Sequence, residues 1–177
     1  VLIESSGPHE NGFTTMRDLA NRLPEGYRTK ISDGTEFWRA INAPSCLYTP
    51  VIQELLRDGV ALTNVENITG HGWLKIMRSK QPLRYKITDF PPISPVFEFA
   101  KEQLGISYDK LFTIFNCGSG MAVFVPDDAS AKRVVQVCES HGLNAKLAGI
   151  VEDAPEREVV IEPLSVKLSG ASFALGK

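Results

Sequence analysis

The chain has 177 residues, 43% of them hydrophobic, and a formal net charge of -2 at pH 7. That length fits one domain with a sizeable core, and the balanced charge, without a dense basic run, disfavours nucleic acid and anionic membranes as partners. Cys46, Cys117 and Cys138 stand far apart with no paired spacing, which argues against a disulfide framework and a structural zinc site and fits a reducing cytoplasm. No stretch has the length and apolarity of a bilayer span, and no signal-peptide pattern precedes the first strand.

The chain opens without methionine on Val1-Leu2-Ile3, an apolar run of the kind that makes a buried strand. This start creates the expectation of a missing upstream domain. Ser5-Ser6-Gly7-Pro8-His9-Glu10-Asn11-Gly12 follows, and then Phe13, Met16, Leu19, Ala20 and Leu23 recur at helical spacing, so the region reads as strand, glycine loop and helix. A helix start leaves backbone N–H groups unpaired, so such a loop can receive a phosphate or carboxylate. The alternative is a plain tight turn with Asn11 as helix cap. Neither phosphate-loop nor dinucleotide spacing is matched.

Pro24-Glu25-Gly26 and Asp33-Gly34 punctuate a loop-rich stretch before the short segment Thr35 to Ile41. Thr49-Pro50 reads as a cap with proline at the first helical position, followed by the stripe Val51, Ile52, Leu55 and Leu56, with a stop at Gly59. A strand is expected within 60–68, ending in a second glycine turn, Thr69-Gly70-His71-Gly72, with a short helix from Trp73. Leu83, Tyr85 and Ile87 alternate as a half-exposed strand. Ser94-Pro95 starts a helix ending at Gly105, and Ser107 can cap another over 108–114. Phe115-Asn116-Cys117-Gly118-Ser119-Gly120-Met121 forms a third glycine turn ahead of a strand over 122–125. Asp127 or Asp128 caps a helix that stops at Gly142, and strands are expected over 145–151 and 158–162. This alternation predicts an α/β fold, helices against a mixed sheet, layered or ferredoxin-like. Residues 1–165 read as one domain and Ser165 to Lys177 as a tail of uncertain order.

Three polar glycine turns at strand boundaries would make a cleft rich in backbone donors if one sheet edge gathers them, which suits a phosphorylated small molecule. His9 and His71 are the side chains near those turns with a pKa suited to proton transfer, and each also has a surface or structural reading. His141 falls at a helix end and reads as structural. Cys117 lacks a neighbour that would stabilise a thiolate, so it reads as a small buried residue. Arg17 either helps an anion over the first turn or is solvated. Glu4, Glu10, Glu66 and Asp89 are scattered and imply no metal site.

Three segments, SSGPHENGF (5–13), NITGHGW (67–73) and above all FNCGSGM (115–121), resemble in order and separation the signatures of the C-terminal domain of aminoimidazole ribonucleotide synthetase, also called phosphoribosylformylglycinamidine cyclo-ligase. Asn42-Ala43-Pro44 resembles the family's alanine-proline-threonine segment, and Val159-Val160-Ile161-Glu162 its usual end. The resemblance spans nearly the whole chain. It implies a layered α/β/α arrangement with partial ferredoxin-like topology, and an ATP-dependent ring closure of formylglycinamidine ribonucleotide in purine biosynthesis. It also implies a cytoplasmic homodimer in which ATP and Mg2+ are bound mainly by an N-terminal domain outside this chain, so this fragment alone is expected to be inactive. By the same resemblance, Ser6, Gly7, His9, Asn11 and Gly12 line the substrate or phosphate region, and Thr69, Gly70, Asn116, Gly118 and Gly120 help to shape it, with His9 and His71 as candidate catalytic groups. Three positions depart from the pattern: Glu10 where serine is typical, His71 where glycine is usual, and Asn67 where histidine is common. Two alternatives stay open. One is another ATP-dependent member of the superfamily, of selenophosphate synthetase, thiamin-monophosphate kinase or hydrogenase-maturation type. The other is a non-catalytic binding module, which Glu10 and His71 favour.

Overall fold

The computed structural model describes residues 1–9 and 11–172. Its class is α/β, as expected, with the strands divided between two four-stranded sheets rather than gathered into one. In chain order the elements are β1 (Leu2–Glu4), α1 (Phe13–Ala20), α2 (Phe37–Ile41), α3 (Thr49–Arg57), β2 (Asn64–Asn67), β3 (Leu83–Ile87), α4 (Pro95–Leu104), α5 (Tyr108–Ile114), β4 (Ser119–Phe124), α6 (Asp128–Ser140), β5 (Ala145–Lys146), β6 (Gly149–Asp153), β7 (Glu158–Ile161) and β8 (Val166–Ser169).

The first sheet runs β2-β4-β1-β5, antiparallel throughout. Both faces of its central strands are covered, which is why Val1 to Ile3 and Met121 to Val123 read as continuous apolar runs rather than alternating ones. Ile3, Met121 and Val123 pack with Val51 and Leu55 of α3 and with Val134, Val137 and Cys138 of α6. Leu2 and Ala122 point the other way, into the larger core that holds α1, α4, α5 and the second sheet. That core is aromatic. Trp73 meets Phe112 edge-on at 4.6 Å between ring centroids, and Tyr85 of β3 meets Phe124 of β4 at 5.7 Å, joining the two sheets.

The second sheet runs β6-β3-β7-β8, with β3 and β7 parallel and the outer pairs antiparallel. Tyr85, Ile87, Val159, Ile161, Val166 and Leu168 line its inner face, while charges line the outer one. On that outer face Glu158 accepts hydrogen bonds from Arg84 and pairs with Lys167, and Arg84 also reaches Glu152 at 3.0 Å. The bonds from Lys167 and Arg84 hold the Glu158 carboxyl below its usual pKa. A depressed carboxyl pKa adds stability that is present above the unfolded value and lost as pH falls through the folded one. Glu158→Gln is therefore expected to flatten the acid limb of the stability curve below about pH 4.3, the unperturbed glutamate value, while leaving its shape above neutrality unchanged. Urea titrations of both proteins across that range measure it.

Several elements differ from the sequence expectation, each for a local reason. The first helix ends at Ala20, not Leu23, because the chain turns tightly there, with Leu23 N–H bonding back to Leu19 and Ala20. Its N-cap is Gly12 in the left-handed region (φ 63), not Asn11. Tyr48, not Thr49, precedes α3, so Thr49 and Pro50 both lie in its first turn. The strand expected within 60–68 is confined to β2, where β4 supplies partners. The run 145–151 is two strands in two sheets, β5 beside β1 and β6 beside β3, because the chain crosses between sheets at Leu147-Ala148. Residues 166–169, expected as tail, form β8 on β7, and residues 173–177 lie outside the described residues.

Candidate functional site

β1 delivers the chain at Ser5 into the first glycine loop, where Ser5 N–H donates to the Gly118 carbonyl at 2.8 Å. The loop turns on itself through Asn11 N–H to the Pro8 carbonyl at 2.9 Å and enters α1 at Gly12. A Cβ at Gly12 would stand 2.2 Å from the Phe115 ring, so only glycine fits both the turn and its neighbour.

Asn116 joins the third loop to the first. It is fully buried, and its side chain is engaged at both ends. Oδ1 accepts from Ser5 Oγ at 2.9 Å and from Gly118 N at 3.1 Å, while Nδ2 donates to the Gly7 carbonyl at 2.9 Å. Its backbone carbonyl accepts the Trp73 indole N–H at 2.8 Å, which brings in the 3-10 segment Gly72–Met77 beyond the second loop. Asn11 Nδ2 donates to the Ile68 carbonyl at 3.2 Å, and Ile68 N–H donates to the Gly120 carbonyl at 2.9 Å. The three loops therefore meet in one place. Among the described residues each also carries one non-glycine residue in the left-handed region: His9 (φ 49), His71 (φ 74) and Cys117 (φ 51). Such conformations cost of order 1 kcal/mol each and persist where the surroundings over-determine them, commonly at functional sites.

Burial sorts the residues singled out by sequence. Ser6, Gly70 and His71 are exposed, His9, Gly12 and Thr69 are half-buried, and Gly7, Asn11, Asn116, Gly118 and Gly120 are buried. The exposed and half-buried group has surface to offer a ligand. The buried group sets the shape: Asn11 and Gly7, expected as lining residues, tie the loops together instead. Among the described residues no side chain caps the start of α1, so its first N–H groups are left as donors at Gly12, where the first loop enters the helix. Glu10, one of the departures from the family pattern, lies outside the described residues.

His9, expected as a proton carrier, is held within the site. Its Nε2 lies 3.2 Å from Ser6 N, 2.9 Å from Ser6 Oγ and 3.3 Å from Cys46 N, and burial lowers its pKa. The segment that reaches it, Pro44 to Tyr48, escaped the sequence reading as a site element. Pro44 accepts from Ser6 Oγ, and Tyr48 donates its hydroxyl to the Glu4 carbonyl at 2.7 Å. Burial, then the neighbouring Cys46, raises the Tyr48 pKa, so the phenol stays a donor. The sequence hint for this segment was its place just ahead of the helix start Thr49-Pro50. Beside it opens a depression of about 360 Å³, walled by Cys46, Tyr48, Thr49, Ile52, Asn67 and Met121.

Gly120 is the extra residue where the pairing of β1 with β4 shifts register, between Met121 opposite Ile3 and Ser119 opposite Glu4. A Cβ there would lie 1.9 Å from the Tyr48 hydroxyl and 3.2 Å from His9 Cε1. Gly120→Ala is expected to displace Tyr48 and cost about 2–3 kcal/mol. Adding Tyr48→Phe, which removes the clashing oxygen, should recover part of that loss in a double-mutant cycle read by urea unfolding.

Most of the remaining candidates have packing or ion-pair roles. Cys117 is buried and its thiol pKa is pushed up by burial, in keeping with a packing role. His141 ends α6 with Nε2 2.8 Å from Glu54 of α3. Arg17 is exposed on α1. Glu4 accepts from Asn144 N, Glu66 pairs with Arg78 at 3.5 Å, and Asp89 pairs with Lys146 at 3.6 Å. Among the described residues no group of three His, Cys, Asp or Glu side chains is placed to hold a metal ion, and no helix is long and apolar enough to cross a membrane.

Residues 84–162 match the family model described as AIR synthase related protein, C-terminal domain. The phosphoribosylformylglycinamidine cyclo-ligase of Methanopyrus kandleri is 33% identical over 176 residues, covering 95% of this chain and 48% of that protein. Residues 84–162 thus resemble an AIR synthase related C-terminal domain. The cyclo-ligase of Methanococcus maripaludis is 29% identical over 160 residues, covering 88% of this chain and 44% of its own length. The chain thus spans about half the length of the curated relatives it matches. The crystal structure of E. coli HypE, a hydrogenase maturation protein, shares the fold, with a TM-score of 0.60 at 19% identity over 99% of this chain and 49% of that one. The convergent loops lie largely outside residues 84–162: the third loop falls within the matched family model, and the first two are supplied by the residues before it.

Proposed function

We propose that this domain supplies the substrate-facing half of an ATP-dependent cyclo-ligase acting on formylglycinamidine ribonucleotide. The observation that carries the reading is the meeting of three glycine loops beside a helix start that no side chain caps among the described residues, in a domain similar to cyclo-ligases along most of its length. Ser6, Gly12, Thr69 and Gly70, exposed or half-buried in the first two loops, offer hydroxyl and backbone donors to the substrate's phosphate. His71, exposed in the second loop, is the imidazole assigned to proton exchange with the ligand. In the reaction, ATP phosphorylates the amide oxygen, the ring-closing nitrogen forms a bond to that carbon, and the carbon–oxygen bond breaks to release phosphate. By likeness to the cyclo-ligases, of which this chain spans about half the length, ATP and Mg2+ are assigned to the nucleotide-binding half of a cytoplasmic homodimer, and no step is derived through them from this chain.

Two measurements test this. Formylglycinamidine ribonucleotide added to the labelled chain should shift the amide resonances of Ser6, Gly12, Thr69 and Gly70, and shifts confined to other surfaces would refute the phosphate site. Joined to a cyclo-ligase nucleotide-binding half, the domain should support ADP release dependent on that substrate, whereas alone it should hydrolyse no ATP. No substrate-dependent ADP release from the joined protein would remove the cyclo-ligase assignment.

A further inference from the structure

We infer that His9 is a positioning residue: a neutral imidazole protonated on Nδ1, whose Nε2 lone pair latches the 44–48 segment onto the first glycine loop. Two amide N–H groups, from Ser6 at 3.2 Å and from Cys46 at 3.3 Å, converge on Nε2. An amide hydrogen has a fixed direction, so the atom it meets must be an acceptor, and a neutral imidazole with Nε2 as acceptor carries its proton on Nδ1. The Ser6 hydroxyl can rotate. Its one proton lies between Nε2 at 2.9 Å and the Pro44 carbonyl at 2.5 Å.

A proton on Nε2 would face both amide hydrogens, so taking one there requires the latch to open. The lone pair that a general base would use is already committed to Ser6 and Cys46. Among the described residues, the segment that meets the ring carries two ionisable side chains, those of Cys46, whose amide reaches Nε2, and of Tyr48, whose ring centroid is 6.1 Å away. The Glu4 carboxylate is turned to Asn144 N–H. The left-handed backbone at His9 is what brings the ring back over its own loop to Ser6, three residues earlier. This role rests on hydrogen bonds within the chain and is independent of which ligand the site takes.

The decisive measurement is the imidazole tautomer at pH 7. The 177-residue chain is prepared with 15N-histidine and with His71→Asn and His141→Asn, leaving one ring to read. Asparagine tolerates the left-handed backbone at position 71, and His141 is exposed. A long-range 1H–15N correlation spectrum should show protonated Nδ1 and unprotonated Nε2. An Nε2–H tautomer or an imidazolium would overturn the inference. A second measurement reads the latch through Cys46, since Cys117 and Cys138 are buried. His9→Ala should raise the rate of Cys46 alkylation by iodoacetamide roughly tenfold, whereas His9→Gln, which keeps an acceptor near the Nε2 position, should stay within about twofold of the parent. Equal rates for the two variants, or a parental rate in His9→Ala, would overturn it. Should His9→Ala unfold and expose all three thiols, the tautomer of the intact ring decides alone.

Discussion

Asn116→Leu is expected to destabilise the protein by about 3–5 kcal/mol, read as a lower urea midpoint at unchanged slope. The side chain is fully buried and makes three hydrogen bonds, to Ser5 Oγ, Gly118 N and the Gly7 carbonyl. Leucine has similar volume but none of that chemistry, and it would strand three polar groups without access to water. The cost is therefore set by unmet partners rather than by a cavity. Asn116→Asp separates the two halves of the amide. The aspartate keeps an acceptor for Ser5 and Gly118 but sets a second oxygen against the Gly7 carbonyl, so it should also destabilise, and more at neutral pH than in acid, where protonation restores a donor. Equal stability of Asn116→Leu and the parent would mean that the loops hold together without this residue.

Gly72→Ala is expected to be at least as damaging, on the order of 3 kcal/mol or more, or to prevent folding. Its Cβ would lie 2.1 Å from the Phe112 carbonyl oxygen and 2.6 Å from that of Phe115, and its φ is +53. Both obstacles are backbone, at the end of α5 and just beyond it, and neither can swing aside as a side chain can. Gly70→Ala, two residues earlier in the same loop, is the control: its Cβ would meet nothing within 4 Å, so a change within about 0.5 kcal/mol is expected. Thermal unfolding of the pair checks the contrast. Comparable losses at both positions would show that the loop fails through its own flexibility rather than through its seat on α5.

These two substitutions mark where reading the chain succeeds and where it stops. Gly70 and Gly72 look alike in Thr69-Gly70-His71-Gly72, and only the packing of α5 beneath them shows that one is free and the other is wedged. The resemblance of FNCGSGM marks Asn116 as part of the site, yet nothing local indicates that Trp73, 43 residues away, donates to its carbonyl. His9 invited a catalytic reading because its ordinary pKa suits proton transfer. The amide of Cys46, 37 residues on, changes that reading by occupying the ring nitrogen.

What the sequence determined by itself was whatever short-range chemistry encodes. Ser94-Pro95 opens α4 and Gly105 closes it, the pair Asp127-Asp128 marks the start of α6, where Asp127 accepts from Ser130 N at 2.8 Å, and the alternation of Leu83, Tyr85 and Ile87 marks a strand with one face buried. The three glycine loops were legible for the same reason: left-handed backbone needs particular residues at particular places. The tertiary structure decided everything that depends on who lies across the sheet. It split 145–151 between two sheets, recruited residues 166–169 as β8, and brought Tyr48 against Gly120. Strand pairing and ring-to-backbone contacts join residues far apart in the chain, and their free energy comes from surfaces that exist only once both partners have folded.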